Sequence, residues 1–332
     1  DIEDARQLGI ILFEKLELRP VRRKSRMYSV RADDLKMVHH PIIPEILNYR
    51  TAISSQAWIN SSKETIRAGR IHPTFTPTAI GRIIASHPAV HSIPTPVRSI
   101  IVADPGYTLV EADWRATHLY LLANLSSDSE LAELLNNGSD PFEEFAAILF
   151  GQDVERITAH QRSVAKQATY ALLYGANHRT VAGRLGLLEE IVKRYEIELA
   201  SRFVGVHRWT QKMCQAARKE GFVTTIGGRQ LRLPDSQDPR LREQAAINRV
   251  LHGSESDILM KVIPQVALML SGIGGHLLFP LHDEVVTQVP TSEIQTAVGL
   301  LRSAMTELDQ EFAAPLTVKV MSGPDWGNLN EC

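Results

Sequence analysis

The residues most able to do chemistry lie in one short segment, RSVAKQATYALLYG, at positions 162–175. Arg162, Lys166, Tyr170 and Tyr174 recur every four residues, and side chains at positions i and i+4 share one face of an α-helix. Two cations one turn apart suit a polyphosphate, and the two rings beyond them suit a base. The segment alone also fits a surface helix with solvated charges and two half-buried tyrosines.

Acidic residues at strand ends form a second candidate site. Asp113 ends the apolar segment YTLVEAD, which is typical of a strand, and Asp283 and Glu284 lie at the tip of a predicted hairpin. If both elements belong to one sheet, Asp113 and Asp283 can converge, and paired carboxylates that share Mg²⁺ are typical of phosphoryl transfer. Taken singly, Asp113 also fits a helix N-cap, and Asp283 with Glu284 an exposed turn.

The elements that must position these residues follow from apolar spacing and turn residues. Helices are expected over 7–18, 42–59, 119–135 and 162–175, then in several segments to 219, and over 242–270 and 292–312. Hairpins are expected over 222–233 and 276–290, a closing strand over 316–321, and irregular chain over 70–96. Runs of strands interrupted by helical blocks indicate an α+β fold.

Composition limits the class of protein. The chain has 332 residues, 44% hydrophobic and 22% charged, which is typical of a soluble globular protein, and no window predicts a membrane span. It begins with Asp1 rather than Met, which predicts a fragment or a trimmed chain. The two cysteines, Cys214 and Cys332, have neither zinc-site nor disulfide-framework spacing and favour an intracellular setting. A net charge of −2 neither requires nor excludes nucleic acid.

Three ordered segments resemble the motifs of family A DNA polymerases, the bacterial polymerase I type. Residues 109–114 and 121–126 resemble motif A, residues 162–175 resemble motif B, and the LHDE of 281–284 resembles motif C. Flanking segments agree with the family patterns TATGR, NIP, GRRRxxPD and QGTAAD at residues 78–82, 93–94, 226–235 and 253–257. The resemblance covers nearly the whole chain.

The resemblance implies a right-hand polymerase fold with an antiparallel-sheet palm, helical fingers and no thumb tip. The implied domains are the thumb base and its connection to the palm at 1–70, the palm with motif A at 71–130, the fingers with the motif B helix at 131–220, and the palm with motif C at 221–332. Missing upstream domains would be the place for protein partners.

The resemblance also implies a division of roles at the catalytic site. Asp113 and Asp283 are expected to hold two Mg²⁺ ions, for which Mn²⁺ can substitute, and Glu284 to support the primer terminus or the metal surroundings. Arg162 and Lys166 are expected to grip the triphosphate of an incoming dNTP, and Lys166 to protonate the leaving pyrophosphate.

Sugar and base contacts follow from the same resemblance. Tyr170 is expected beside the sugar and base, where its hydroxyl should ease acceptance of a sugar lacking the 3′-OH, and Tyr174 near the templating base. Motif A of the family continues Tyr-Ser-Gln-Ile-Glu after the aspartate, whereas this chain has WRATH at 114–118. His118 therefore replaces the glutamate that blocks a ribose 2′-OH, which puts sugar discrimination in doubt.

Residues expected to contact the primer-template DNA are Arg82, His282, His252, Arg229 and Gln244. Two of them depart from the family pattern, since His252 stands for a glutamine and Gln244 for an arginine of the minor groove. Minor-groove contacts check base-pair geometry rather than sequence, so these changes predict lower fidelity or a weaker primer grip.

The resemblance therefore implies a template-directed DNA polymerase with primer-template DNA and dNTP as partners and no membrane partner. With the departures from the family pattern, we expect it to be of low fidelity and to act in repair or translesion synthesis. DPF at 140–142 and the terminal WGNL at 326–329 resemble the eukaryotic theta and nu subgroup, which suggests a nuclear location. The alternative is a degenerate polymerase fold that serves as a DNA-binding or scaffolding subunit. The intact Asp113, Asp283, Lys166 and Arg162 disfavour it, because buried like charges are costly to keep without a metal.

Overall fold

The computed structural model describes residues 1–21, 23–24, 27–306 and 312–332. The helices in chain order are α1 (Ala5–Ile10), α2 (Ala32–Leu35), α3 (Ile42–Lys63), α4 (Thr117–Ser126), α5 (Ser129–Asn136), α6 (Pro141–Phe150), α7 (Ala159–Leu173), α8 (His178–Leu185), α9 (Glu189–Arg202), α10 (Val204–Lys219), α11 (Pro239–Ser271) and α12 (Ile294–Thr306). Among the described residues, no helix combines the length and apolar composition needed to cross a bilayer.

The strands are mostly short. In chain order they are β1 (Arg23–Lys24), β2 (Met27–Tyr28), β3 (Ile66–Arg67), β4 (Arg70–Ile71), β5 (Thr74–Pro77), β6 (Ile83–Ser86), β7 (Tyr107–Arg115), β8 (Phe222–Thr224), β9 (Gln230–Arg232), β10 (His276–Leu281), β11 (Glu284–Pro290), β12 (Thr317–Gly323) and β13 (Asn330–Glu331). Helices and antiparallel strands are mixed along the chain, which confirms the predicted α+β class.

One five-stranded antiparallel sheet positions the acidic residues. Its strand order is β10-β11-β7-β12-β13, so β7 lies at the centre. The register places Glu284 of β11 and Lys319 of β12 on either side of Asp113. Because alternate residues of a strand share a face, Glu111 and Asp113 lie on the same face of β7.

Two compact units divide the chain. The first comprises Asp1–Ala57 and Phe142–Leu199, and the second Trp58–Pro141 and Ala200–Cys332. The first unit has an apolar cluster that includes Leu12, Leu35 and Ile46, and the second has one that includes Val90, Leu109 and Val286. The four-part assignment to thumb, palm and fingers stays a prediction.

The structure differs from the expected elements in several places. The helix expected over 7–18 is shorter, since α1 ends at Ile10 and a π-helical segment, Ile11–Lys15, follows it. The predicted helix over 119–135 is two helices, because Ser127 adopts a left-handed φ of 50° and Asp128 then caps α5. Residues 70–96 are more regular than their prolines suggest, since β5 and β6 pair there. The last predicted helix is shorter, with α12 at Ile294–Thr306, and residues 307–311 of that prediction lie outside the described residues.

Candidate active site

One candidate functional segment is α7, in the first unit. Thr158 caps its N-terminus through the Gln161 amide, and the Gln161 side chain accepts from the Thr158 amide in return. The buried side of the helix carries Val164, Ala165, Ala168 and Thr169. Thr169 Oγ1 donates to the Ala165 carbonyl and contacts the hydroxyl of buried Tyr195 at 2.5 Å, which fixes the helix against α9.

The opposite side of α7 carries the four predicted residues, as their spacing requires. Arg162, Tyr170 and Tyr174 are partly exposed and Lys166 is exposed. The Phe142 ring, in the same unit, contacts three of these four side chains. The Lys166 ammonium lies 5.1 Å from the ring centroid, the Arg162 guanidinium carbon 5.6 Å, and the Tyr170 ring 5.6 Å. These cation–π contacts hold two positive charges side by side on one face.

Aromatic stacking continues this face toward the end of the helix. The rings of Tyr170 and Tyr174 stack at 6.2 Å between centroids with an interplanar angle of 18°. Gly175 follows with a φ of 80°, a conformation that favours glycine and ends the helix. The segment therefore presents two cations and then two stacked rings, the order that its sequence predicts.

A separate candidate site is a group of carboxylates at one end of the sheet, in the second unit. Asp283 follows β10 in the two-residue turn of the hairpin, and its carbonyl accepts from the Trp114 amide at 3.3 Å. Thr117 Oγ1 donates to Asp283 Oδ2 at 3.0 Å. His282 and Ala116 both adopt left-handed φ angles, of 48° and 49°, so strained backbone immediately precedes Asp283 and Thr117.

Burial and charge repulsion act together on this carboxylate group. Burial, followed by the neighbouring carboxylates of Glu111 and Asp113, raises the pKa of Glu284 to about 8, while the charge of Arg98 opposes the shift. Burial and the charge of Glu255 likewise raise the pKa of Asp283, although the Thr117 hydroxyl opposes this shift.

A divalent cation fits this group of oxygen ligands. Mg²⁺ binds through one or two carboxylates together with water and phosphate oxygens. Asp113 and Glu284 provide such carboxylates on adjacent strands, and Asp283 provides one in the turn before Glu284. A cation would also offset the charge repulsion that adds to burial in raising the pKa values of Asp283 and Glu284. The donor chemistry therefore agrees with the predicted metal ligands.

Glu255 is the main residue that sequence reasoning missed. Its side chain is 1% exposed, and Arg82 donates to Oε2 from Nε at 2.8 Å and from a terminal nitrogen at 2.5 Å. His118 Nε2 lies 3.2 Å from Oε1, and His252 Nδ1 lies 3.6 Å from Oε2. The available signal was an acid at the position where the family segment QGTAAD has alanine, because a buried charge needs partners.

His118, His252 and Glu255 also bring three metal-ligating groups together, with ligand atoms within 4.8 Å of one another. The Arg82 guanidinium already bonds the Glu255 carboxylate, and a cation placed there would meet that positive charge. The trio therefore fits an internal ion-pair cluster better than a metal centre.

The remaining predicted DNA contacts lie in the same unit. Arg229 bonds to Asp257 and to the carbonyls of Ile80 and Gly253, so it braces the β8–β9 hairpin internally. The His282 ring lies 6.3 Å from the His91 ring, and burial followed by the charge of Arg82 lowers the pKa of His282.

Gln244 and His252 lie two turns apart on α11, and helical spacing places them on one face. The DNA contacts of Arg82, Arg229, Gln244, His252 and His282 stay predictions.

Comparison with known proteins agrees with this arrangement of motifs and elements. The family model for DNA polymerase family A matches residues 1–328. The chain belongs to DNA polymerase family A. A solved structure described as the POL domain of Pol1 from M. smegmatis, in complex with DNA primer-template and dNTP, matches with a TM-score of 0.86 and 27% identity over 98% of this chain and 61% of that chain.

Curated family A relatives give the same result. A thermostable DNA polymerase I of Thermus filiformis is 32% identical over 96% of this chain and 41% of its own length. A DNA polymerase I of Chloroflexus aurantiacus is 29% identical over 99% of this chain and 38% of its own length. The chain thus spans about two fifths of these relatives. These matches do not test the theta and nu resemblance.

Proposed function

We propose that this family A chain is a template-directed DNA polymerase that adds dNTPs to a primer 3′ end. The observation that carries the proposal is the carboxylate group of Asp113, Asp283 and Glu284, in which Glu284 lies opposite Asp113 across two strands and the pKa values of Asp283 and Glu284 are raised. The solved relative bound to primer-template and dNTP supports the same substrates.

The α7 face is assigned to the incoming nucleotide. Arg162 and Lys166 present two positive charges beside the Phe142 ring, which suits a triphosphate. Tyr170 is assigned to the sugar and base, and the stacked Tyr174 to the template base. Phosphoryl transfer depends on positioning and charge neutralisation more than on covalent chemistry by the protein, so fixed cations and rings are the appropriate parts.

The carboxylates are assigned to the reacting end. The primer 3′-hydroxyl attacks the α-phosphate of the dNTP, a P–O bond forms, and pyrophosphate leaves with its bridging oxygen. Asp113 and Asp283 would hold divalent cations, which when bound lower the pKa of an attacking hydroxyl and neutralise phosphate charge. Lys166 donates a proton to the leaving pyrophosphate, and Glu284 supports the primer terminus or the metal surroundings.

Templated primer extension tests this proposal. A primer annealed to four templates that differ only in the next base is supplied with each dNTP separately in the presence of Mg²⁺. The proposal expects preferential incorporation of the complementary nucleotide on every template. Equal incorporation of all four nucleotides on every template would contradict template direction. No incorporation of any nucleotide would contradict polymerase activity.

The second candidate function is a DNA-binding or scaffolding subunit without catalysis. The observation that favours it is at position 118, where the family has a glutamate and this chain has a histidine. The His118 ring contacts Glu255, so this position provides no acid of its own. This candidate expects primer-template binding in a mobility-shift assay with no extension under Mg²⁺ or Mn²⁺. Extension that depends on Mg²⁺ excludes it.

The finer assignment is low-fidelity synthesis in repair or translesion replication, with a nuclear location suggested by the theta and nu resemblance. Gln244 and His252 support low fidelity, because both replace family residues expected to check base-pair geometry in the minor groove. Steady-state misinsertion opposite a defined template base measures this property. Error rates like those of high-fidelity relatives would overturn it.

A further inference from the structure

A buried carboxylate on α11 contacts three polar side chains near the proposed catalytic acids. Glu255 is 1% exposed, whereas the three side chains around it are partly exposed, at 13% for His118, 20% for His252 and 23% for Arg82. The carboxylate therefore lies behind a surface of two imidazoles and a guanidinium. The His118 and His252 rings meet edge to face with centroids 4.5 Å apart.

The first turn of α4 links this cluster to the catalytic acids. Thr117 bonds Asp283 at 3.0 Å, and the next residue, His118, contacts Glu255 at 3.2 Å. The charge of Glu255 is also felt at Asp283, whose pKa it raises. A change in the position of His118 would therefore occur beside the carboxylate assigned to catalysis.

Glu255 is ionised in the folded protein. Burial alone would raise the pKa of Glu255, but the neighbouring His118 and His252 imidazoles and the charge of Arg82 outweigh it, so that the pKa lies well below its usual range. Arg82 donates to this negative charge and the two imidazoles contact it, so its removal would leave three side chains crowded together without the carboxylate that they share.

Two residues that differ from the family motifs lie together in this cluster. His118 stands where motif A has its glutamate, and Glu255 stands where the QGTAAD segment has alanine. The structure brings the new acid and the new histidine into contact. This chain therefore has an acid on α11 and none at position 118 in the first turn of α4, and the His118 imidazole contacts that acid.

We propose that Glu255 is a positioning residue for sugar selection, which holds the His118 ring where it discriminates a deoxyribose from a ribose. This inference rests on the proposed polymerase function. His118 Nε2 lies 3.2 Å from Glu255 Oε1, so the carboxylate favours a proton on Nε2 and holds the ring against α11. Because the ring acts as a rigid wall only while it is anchored, loss of the anchor admits the larger 2′-hydroxyl sugar.

The test compares kcat/KM for a dNTP and for the matching rNTP in single-nucleotide primer extension by the wild-type chain, Glu255→Gln and Glu255→Ala. The expected result is a fall of about tenfold or more in the dNTP-over-rNTP ratio for Glu255→Ala, with a smaller fall for Glu255→Gln, which keeps an acceptor oxygen. The exchange variant His118→Glu/Glu255→His restores the pair and should recover the ratio.

Glu243→Gln is the matched control, because Glu243 lies on the same helix but pairs with exposed Arg218. An unchanged ratio in both Glu255 variants while wild-type extension proceeds overturns the inference and leaves the proposed function standing. If the wild-type chain does not extend primers, the proposed function fails. ¹⁵N NMR of His118 then decides the positioning, since a ring without the Nε2–H tautomer, or one unaffected by Glu255→Gln, overturns it.

Discussion

Glu284 lies directly opposite Asp113 on neighbouring antiparallel strands. Residues paired in this way have side chains on the same face of the sheet, so two carboxylates from distant parts of the sequence meet at the strand ends. Like charges opposite each other destabilise a sheet unless a cation offsets them. This pair therefore explains why the site fits metal-dependent chemistry and sets the pH behaviour of the protein without metal.

Stability without divalent cations should fall as pH rises from about 5 to about 8. The Glu284 pKa is raised to about 8 in the folded protein, so the folded state binds a proton that the unfolded state has already released. Each unit of pKa difference corresponds to about 1.4 kcal/mol, and the loss is complete above the folded pKa. Chemical denaturation over this pH range measures the effect.

Glu284→Gln and Mg²⁺ provide the controls for that experiment. The variant should flatten the pH dependence, and saturating Mg²⁺ should restore stability to the wild-type chain above about pH 7. A wild-type stability that rises steadily from pH 5 to 8 without metal would contradict the raised pKa of Glu284.

Lys166→Ala should weaken dNTP binding and slow incorporation, because it removes one of the two cations beside Phe142. Hydrogen bonds to charged groups contribute about 1.5–3 kcal/mol, which predicts a loss of about ten- to a hundredfold in kcat/KM. Gln167→Ala is the matched control, since Gln167 is the exposed neighbour of Lys166 on α7. Equal losses in both variants would contradict the assigned role.

Phe142→Ala should affect both cations of α7 at once. The ring is buried and contacts Arg162, Lys166 and Tyr170, so its loss frees three side chains. We expect a higher KM for dNTP together with a destabilisation of about 3–5 kcal/mol, typical of a buried phenylalanine. Phe142→Leu should recover most of the stability but not the KM, because it fills the space without a π face. Recovery of both would contradict the cation–π account.

Thr169 and Tyr195 should differ in their contributions to stability. Thr169 donates to the Ala165 carbonyl, so the Tyr195 hydroxyl is the donor in their 2.5 Å contact. Thr169→Val strands the buried Tyr195 hydroxyl and should cost about 1–3 kcal/mol, whereas Tyr195→Phe leaves Thr169 bonded and should cost less. Thermal unfolding of both single variants and the double variant measures the difference. A larger loss in Tyr195→Phe would contradict the donor assignment.

Much of the fold followed from local sequence signals. The face of α7 followed from four-residue spacing, and the hairpin that ends at Asp283 followed from apolar arms around a polar turn. The break at Ser127 did not, because the segment 119–135 keeps helical apolar spacing across it. The β5–β6 hairpin was not predicted, because the prolines of residues 70–96 indicated irregular chain. Short edge strands tolerate proline.

The role of a site residue was predictable where it follows from the residue type and its place on a strand or helix. It was not predictable where the role depends on tertiary contacts. Asp113, Asp283 and Lys166 stood out as charges at strand ends or on a helix face. Glu255 did not, since its role depends on Arg82 and His118, which lie 173 and 137 positions away in the sequence. Arg229 was assigned to DNA from a motif, and its bonds to Asp257 and two carbonyls appear only in the folded chain.

The central claim is that Asp113 and Asp283 hold the cations for templated nucleotide addition. The most direct measurement is single-turnover incorporation of one complementary dNTP at increasing Mg²⁺, for the wild-type chain and Asp283→Ala. The account predicts a rate that saturates with Mg²⁺ in the wild-type chain and falls at least about a thousandfold in the variant, with unchanged DNA binding. Incorporation by Asp283→Ala at the wild-type rate, or a wild-type rate independent of Mg²⁺, would contradict it.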